Sequence, residues 1–407
     1  MKQYKGNIFA DENDIYMALH SNKNKITDAA LRKLAFERGI LFSEYLKRED
    51  LIEQISQLPF GYSQIKALTN KLVPKINRDQ YSIKRIINEF DFRHLDAVLE
   101  YVIQSRPASI GNEQIVGDRS DLIYSVDIDY VDFDFTKGRF QQKRSHSGFI
   151  RFIKSKEHVS IHYTYTPRIE TILNALIEQY KKNFNDKIEL IEVDLSYVSS
   201  SKERSGFIER IIRNEKSIFL GSEKLRVSKT MTPLQEPAEK STGEMEEFES
   251  LDEEILLDND EDSDSENKDE EFEKDNDSLE NESKKIKVIN NASFDGYNLD
   301  DIDDISKFYE LGYFPSRVKW RHKTNILKNN PIIVIELAFD DRHLGKYLKF
   351  RILGKHEIDA KGTESAKLNI DGVDFDKIMF YLESVIFYSY DKIDNSVSEI
   401  IRSEEDK

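Results

Sequence analysis

The chain of 407 residues contains no cysteine. Disulfides, thiolate metal sites and cysteine nucleophiles are therefore excluded. No apolar run approaches the length of a membrane span, and the opening stretch MKQYKGNIFADEND has no apolar core of signal-peptide length. A cytoplasmic protein with no membrane contact is expected. Motifs that announce an enzyme are missing as well: there is no Gly-rich phosphate loop, no GxSxG elbow, no kinase-like set and no HxH or HExxH spacing. The expectation is a protein without cofactor or bound metal. Tryptophan occurs once, at Trp320.

What is present is charge, unevenly placed. Residues 236–282 hold 23 Asp and Glu against three Lys, a net charge of −20, whereas the whole chain carries −17. Residues 1–235 have 37 Lys and Arg against 32 acids, and residues 283–407 have 20 against 22. Such a density of acids with few apolar residues cannot bury enough surface to offset the entropy of ordering. Residues 236–294 thus read as a disordered acidic linker between two folded parts. At this density carboxylates can occupy cation sites much as phosphates do, weakly and under salt screening. Replacing residues 236–282 by an uncharged Gly/Ser segment of equal length is expected to tighten nucleic-acid binding at low salt only. Identical titration curves at low and moderate salt would leave it a spacer.

Residues 20–75 read as a helical module. Thr27 or Asp28 caps a helix with Leu31, Leu34 and Ala35 on one face and Gly39 as its stop. Ile40, Leu41 and Phe42 continue as an extended apolar loop, and a second helix from Arg48 carries Leu51, Ile52 and Ile55. The order LRKLAFERGILFSEYLKREDLIEQIS resembles the helix–extended loop–helix of SAP and Rho N-terminal-like modules. That resemblance covers about a tenth of the chain. It rests on Leu31, Leu34, Gly39, Ile40, Lys47, Leu51 and Ile52, and it implies nucleic-acid contact through Lys47 and Arg48. The loop is longer and more apolar than the family pattern, and acids follow Arg48 at once. Residues 63–72 and 81–105 read as further helices, the latter bearing Ile83, Ile86 and Ile87 and then Leu95, Val98, Leu99 and Val102; residues 76–105 serve as connecting helices.

From residue 106 to 235 the pattern switches to alternation. DLIYSVDIDYVDFDF reads as one long strand or a kinked pair, its parity slip suggesting a bulge near Tyr130. SGFIRFIKS and HVSIHYTY follow as strands, and Thr166-Pro167 starts an amphipathic helix. KIELIEVDLSYV reads as a strand, Ser199–Ser201 cap another helix, and SIFLGSEKLRVSK reads as a hairpin around Gly221-Ser222. Lys137, Arg139, Lys143, Arg144, Arg151, Lys154 and Lys156 form an acid-free cationic run, interleaved with Phe140, Phe149 and Phe152. Cations that replace counterions on phosphates, beside rings that accept a base, suit a backbone-tracking site. The competing chemistry is a divalent-metal nuclease built on Asp127, Asp129, Asp132 and Asp134 with Glu189, Glu192 and Asp194. It needs a Glu-x-Lys that no strand supplies. His146, His158 and His162 read as surface or hydrogen-bonded histidines.

Residues 296–407 read as a second α+β domain: strands at NPIIVIELAFD and GKYLKFRIL, then a covering helix at DFDKIMFYLESVIFYSY. RVKWRHK is the densest basic-aromatic heptamer, and Arg317, Lys319, Trp320 and Arg321 suit base stacking with phosphate contact. The fold class expected is α+β throughout. The expected function is a non-catalytic nucleic-acid-binding or scaffolding component of a DNA- or RNA-processing assembly, such as a prokaryotic defence or repair system. DNA is favoured over RNA, and a protein partner is expected. A metal-dependent nuclease and a protein-interaction adaptor are the alternatives.

Overall fold

The computed structural model describes residues 10–23, 26–72, 79–106, 113–133, 136, 139, 140, 142–214, 217–231, 291–296, 303–358 and 362–405. Residues 10–72 form short helices: α1 (Glu12–His20), α2 (Asp28–Phe36), α3 (Arg48–Ser56) and α4 (Tyr62–Leu72). Local chemistry sets their ends. Asp11 and Asp14 exchange side-chain bonds to backbone N–H groups in a capping box, and Thr27 Oγ1 accepts from the Ala30 N–H. Gly39, at φ +76°, turns the chain out of α2. Ile15, Leu19, Leu31, Ala35, Ile52 and Ile55 meet in the core of this head. The helical module expected from the sequence begins at residue 20 and leaves out α1. Its signature is nonetheless present: a capping aspartate, then Ile15, Ala18 and Leu19 at helical spacing.

Among the remaining described residues the strands form one antiparallel sheet of eleven, with helices on it. The strands are β1 (Tyr81–Ile87), β2 (Gln114–Arg119), β3 (Ile123–Phe133), β4 (Lys143–Lys154), β5 (Val159–Thr164), β6 (Glu189–Ile191), β7 (Ser217–Lys229), β8 (Asn291–Asp295), β9 (Tyr313–Thr324), β10 (Ile332–Asp341) and β11 (Lys346–His356). Their spatial order is β2-β3-β4-β5-β1-β11-β10-β9-β7-β8, with β6 also pairing with β1. Among the described residues five α-helices accompany them: α5 (Leu95–Ser105), α6 (Pro167–Asn183), α7 (Ser201–Ile212), α8 (Asp303–Glu310) and α9 (Gly372–Glu405). Thr166 caps α6 with Pro167 in its first turn, and Ser200 caps α7, both as the sequence indicates.

Two cores flank the sheet. On one side α5 and α6 cover β2 to β5, packing Leu99, Leu173 and Leu176 on Tyr124, Val126, Ile150 and Phe152. On the other side α7 and α9 cover the β9–β11 half, packing Phe207, Ile378 and Leu382 on Trp320, Ile335 and Phe350. Each such fully buried side chain contributes roughly 1.5–3 kcal/mol.

Several expectations fail here, for identifiable reasons. Residues 81–87 are a strand, not a helix. Ile83 belongs to the core under α9 and Ile86 to the core under α6. A strand buried on both faces loses its alternation, and its isoleucines imitate a helical stripe. β3 carries no bulge, because its register runs unbroken from Ile123↔Ile153 to Phe133↔Lys143. SIFLGSEKLRVSK is a single strand, β7, and not a hairpin. Gly221, at φ +129°, sits at one of three register shifts that let β7 follow β9.

The central and C-terminal units are not separate sheets either. β7 pairs with β9, and β1 bridges β5 and β11. The acidic stretch lies within residues 232–290, outside the described residues, but its two flanks are neighbours. β7 pairs with β8 from Lys224↔Asp295 to Ser228↔Asn291. The chain thus enters the acidic stretch from β7 and leaves it into β8, the strand that pairs with β7. The acidic stretch is an insertion between paired strands.

One buried group gives this fold a pH dependence. His322 is 1% exposed on β9 between Trp320 and Tyr381, and neither ring nitrogen has a hydrogen-bond partner among the described residues. Burial pushes its imidazole down to about 4. A folded-state value below the unfolded one means that the unfolded chain binds the extra proton first. Stability should therefore fall as pH drops from about 6.5 toward 4, by on the order of 3 kcal/mol from this residue. In urea melts across that window, His322→Phe should remove much of the slope. An equal slope in the variant would assign the acid limb elsewhere.

Candidate functional site

Strand alternation sorts the cations expected from the sequence. On β9, Val318, Trp320 and His322 turn toward α7 and α9, while Arg317, Lys319, Arg321 and Lys323 turn to the opposite side. Successive cations of that row stand roughly 6.8 Å apart along the strand. Neighbouring strands extend the row into a lattice. Arg226 lies across from Arg317 on β7, and Lys224 from Lys319. On β11, Arg351 pairs with Glu336 and Lys349 with Ala338 of β10. Among the described residues, α7, α8 and α9 all pack on the other face of this half of the sheet.

Carboxylates hold the lattice in shape. Glu336, 7% exposed, lies between Arg317 (2.6 Å) and Arg351 (3.6 Å). Glu223 meets Lys319 at 2.7 Å and Arg321 at 3.7 Å, and Arg321 also binds Glu364. Lys349 binds Asp340 at 2.6 Å beside the Tyr165 ring. Lys323 has no ion pair among the described residues. The cations stay oriented and outnumber their acids. This is a surface on which an extended polyanion can add to the existing contacts.

The other expected residues do not converge on it. Trp320 is 1% exposed and core, so it cannot stack on a base. The acid-free run from Lys137 is scattered by the alternation of β4 and by the turn before it. Lys137 lies outside the described residues, and Lys143 opens β4 opposite Phe133. Arg139 reaches Asp14 of α1 at 3.7 Å, and Phe140 is buried in the head. Arg144 stands opposite Asp132 on β3, partly buried. Arg151 faces α9, where it binds Asp376 at 2.5 Å and stacks on Phe149. Phe149 itself packs near Tyr81 and Phe375, and Phe152 is core. Lys154 lines a cleft of about 880 Å³ with Arg93, His94, Arg119 and Phe184.

In the head, Arg48 is spent on structure. Its guanidinium donates to the carbonyls of Leu19 and Ile26 and pairs with Asp28. Lys47 is exposed just ahead of α3. Arg32 donates to the carbonyls of Phe42, Ser43, Glu44 and Leu46, fixing the loop between α2 and α3. That loop presents Leu41 at 81% exposure and Tyr45 at 97%.

The carboxylates and histidines considered for catalysis are dispersed too. Asp127 and Asp129 are exposed on β3, Asp132 binds Arg168 and His146, Glu192 binds Lys84, and Asp134 lies outside the described residues. No group of three or more His, Asp or Glu is placed to hold a metal ion among the described residues. His162 and His158 meet Glu383 of α9 at 2.8 and 3.4 Å, with Ser160 and Arg85 completing a buried cluster. Burial alone would raise the Glu383 carboxyl, but the hydrogen bonds from His162 and Ser160 and the Arg85 charge hold it at about 2. That cluster pins α9 to β1 and β5. Asp341 accepts from the N–H groups of His343 and Leu344, and so shapes the β10–β11 turn.

The heptamer RVKWRHK includes Lys323, although it is not among the contact residues expected there; Lys349, Arg351 and the assignment of Arg226 to this face are not expected from the sequence either. The signal available was the two-residue spacing of the β9 and β11 cations. Arg226 could not be placed without knowing which strand β7 joins. The molecule so defined is an α+β protein with a cation-lined sheet face and a short helical head. No protein-family model matches the chain, and no curated protein matches it in sequence. No helix among the described residues is long and apolar enough to cross a membrane.

Proposed function

We propose that this chain is a non-catalytic nucleic-acid-binding or scaffolding component of a DNA- or RNA-processing assembly. The observation that carries this reading is the oriented row Arg317, Lys319, Arg321 and Lys323, flanked by Arg226 and Arg351, on the face of this half of the sheet opposite α7, α8 and α9. Neutralising phosphates there releases condensed counterions, the main source of sequence-independent affinity. The head supports the scaffolding part. Leu41 and Tyr45 stand on a loop made rigid by Arg32, and a rigid apolar projection is suited to a protein partner. The SAP-like resemblance would add Lys47 as a phosphate contact.

The test is a titration of labelled single- and double-stranded DNA and RNA against the full chain, over a range of salt and with Mg²⁺ or Mn²⁺ present. Binding should weaken with salt at roughly 0.7 to 0.9 log units per phosphate contact and leave the nucleic acid uncut. Divalent-dependent cleavage abolished by Asp127→Asn or Asp129→Asn would install the nuclease reading instead. No binding to any of the four would leave the adaptor.

A further inference from the structure

Among the described residues, four other than glycine have positive φ: Asn88, Asn329, Asn330 and Tyr347. Asparagine adopts this region readily, whereas a bulky side chain does not. Tyr347, at φ +58°, is therefore the strained one, and its position in the fold is specific. It stands on β11, two residues before Lys349 and four before Arg351, so alternation gives it the cationic face. The residue is 46% exposed, and it borders a small pocket with Ser82, Lys84, Tyr165 and Glu192. It has no ring or hydrogen-bond partner among the described residues. Strain of this kind persists where the surroundings enforce it, and it concentrates at ligand-binding positions.

We propose that Tyr347 is the base-stacking platform of this face, and that the face takes single-stranded nucleic acid. This rests on the nucleic-acid reading above and narrows it. A duplex keeps its base faces stacked on one another, so only an unstacked base can lie on an isolated tyrosine ring. Trp320, the stacking residue the sequence suggests, is buried on the opposite side. Tyr347 is the exposed aromatic that accompanies the β11 cations. Phosphates of an extended strand lie along Arg317–Lys323 and Lys349–Arg351, and one base turns onto the ring.

The test uses the full chain and three labelled probes of about 20 nucleotides, a length that exceeds typical single-strand site sizes. They are a mixed-sequence single strand, an abasic strand of equal charge, and a duplex. Tyr347→Gly removes the ring while the backbone keeps its positive φ without strain, so the fold is preserved. It should lower affinity for the base-bearing strand about tenfold and leave the abasic strand and the duplex unchanged. Tyr347→Phe should bind like wild type. Unchanged single-strand affinity in Tyr347→Gly, while Arg226→Glu with Lys323→Glu weakens it, would overturn the stacking role and spare the nucleic-acid reading. Equal losses on abasic and base-bearing strands would also overturn it. If neither the ring nor the cations affect any probe, the nucleic-acid reading itself falls.

Discussion

Combining Arg226→Glu with Lys323→Glu should lower affinity for nucleic acid by about a hundredfold near physiological salt. A charge-assisted contact is worth about 1.5 kcal/mol or more, roughly tenfold in affinity, and two are removed. The slope of log affinity against log salt should flatten by about 1.4 to 1.8, the share of two phosphates. These two residues are chosen because neither belongs to the Arg317–Glu336–Arg351 group. Replacing Arg317 instead would strip one guanidinium from a nearly buried carboxylate and confound binding with stability. Lys154→Glu is the matched control. It makes the charge change of one of the two substitutions, on β4, five strands from β9 in the sheet order, and should leave affinity within about twofold. If the double variant binds as wild type with its melting curve intact, the cation lattice is only a solvated salt-bridge surface. A loss of about tenfold in Lys154→Glu, half that of the double variant on the logarithmic scale, would show that net charge alone is felt.

Arg204→Met should cost about 3–5 kcal/mol of folding stability, a large part of what a domain usually has. Arg204 is fully buried on α7, and its guanidinium donates to the carbonyls of Val198 (2.7 Å), His343 (2.7 Å) and Met231 (2.8 Å). One side chain thus ties the entry to α7, the β10–β11 turn and the exit from β7. Burial lowers the guanidinium to about 10, with Asp194 and Asp341 opposing the shift, so it remains charged at neutral pH. Methionine fills similar volume but leaves three carbonyls without their donor, each costing about 1–3 kcal/mol before relaxation. Lysine is a poor substitute, since an ammonium lacks the fork that reaches three acceptors at once. Chemical denaturation of wild type, Arg204→Met and Arg204→Lys measures this directly. A loss below about 1 kcal/mol in both variants would mean that the corner holds without the guanidinium.

Features that depend on local chemistry are legible in the order of the residues. Thr166-Pro167 and Ser200 start helices because a cap needs only an oxygen and a few following N–H groups. The amphipathic stripe Ile169, Ile172, Leu173, Leu176, Ile177 and Tyr180 is buried along its full length. The α+β class was legible from the alternating and helical stretches, and the charge of residues 236–282 is a property of composition alone.

Tertiary structure decided everything that depends on which strand lies beside which. β1 reads as a helix because helices cover both its faces, and no local pattern records a second covering layer. β7 lies before the acidic stretch in the chain but beside β9 in the sheet, so two expected units share one sheet. The same distinction governs the candidate site. Composition marked both Lys137–Lys156 and Arg317–Arg321 as basic, yet alternation along β4 sends Arg151 to Asp376 and Lys154 to a distant cleft. Along β9 the same alternation places the cations together and turns Trp320 inward. A side chain's face is set by strand parity, which a sequence shows. Whether that face is covered is set by residues far away in the chain, here α7 and α9, which only the folded arrangement brings against it.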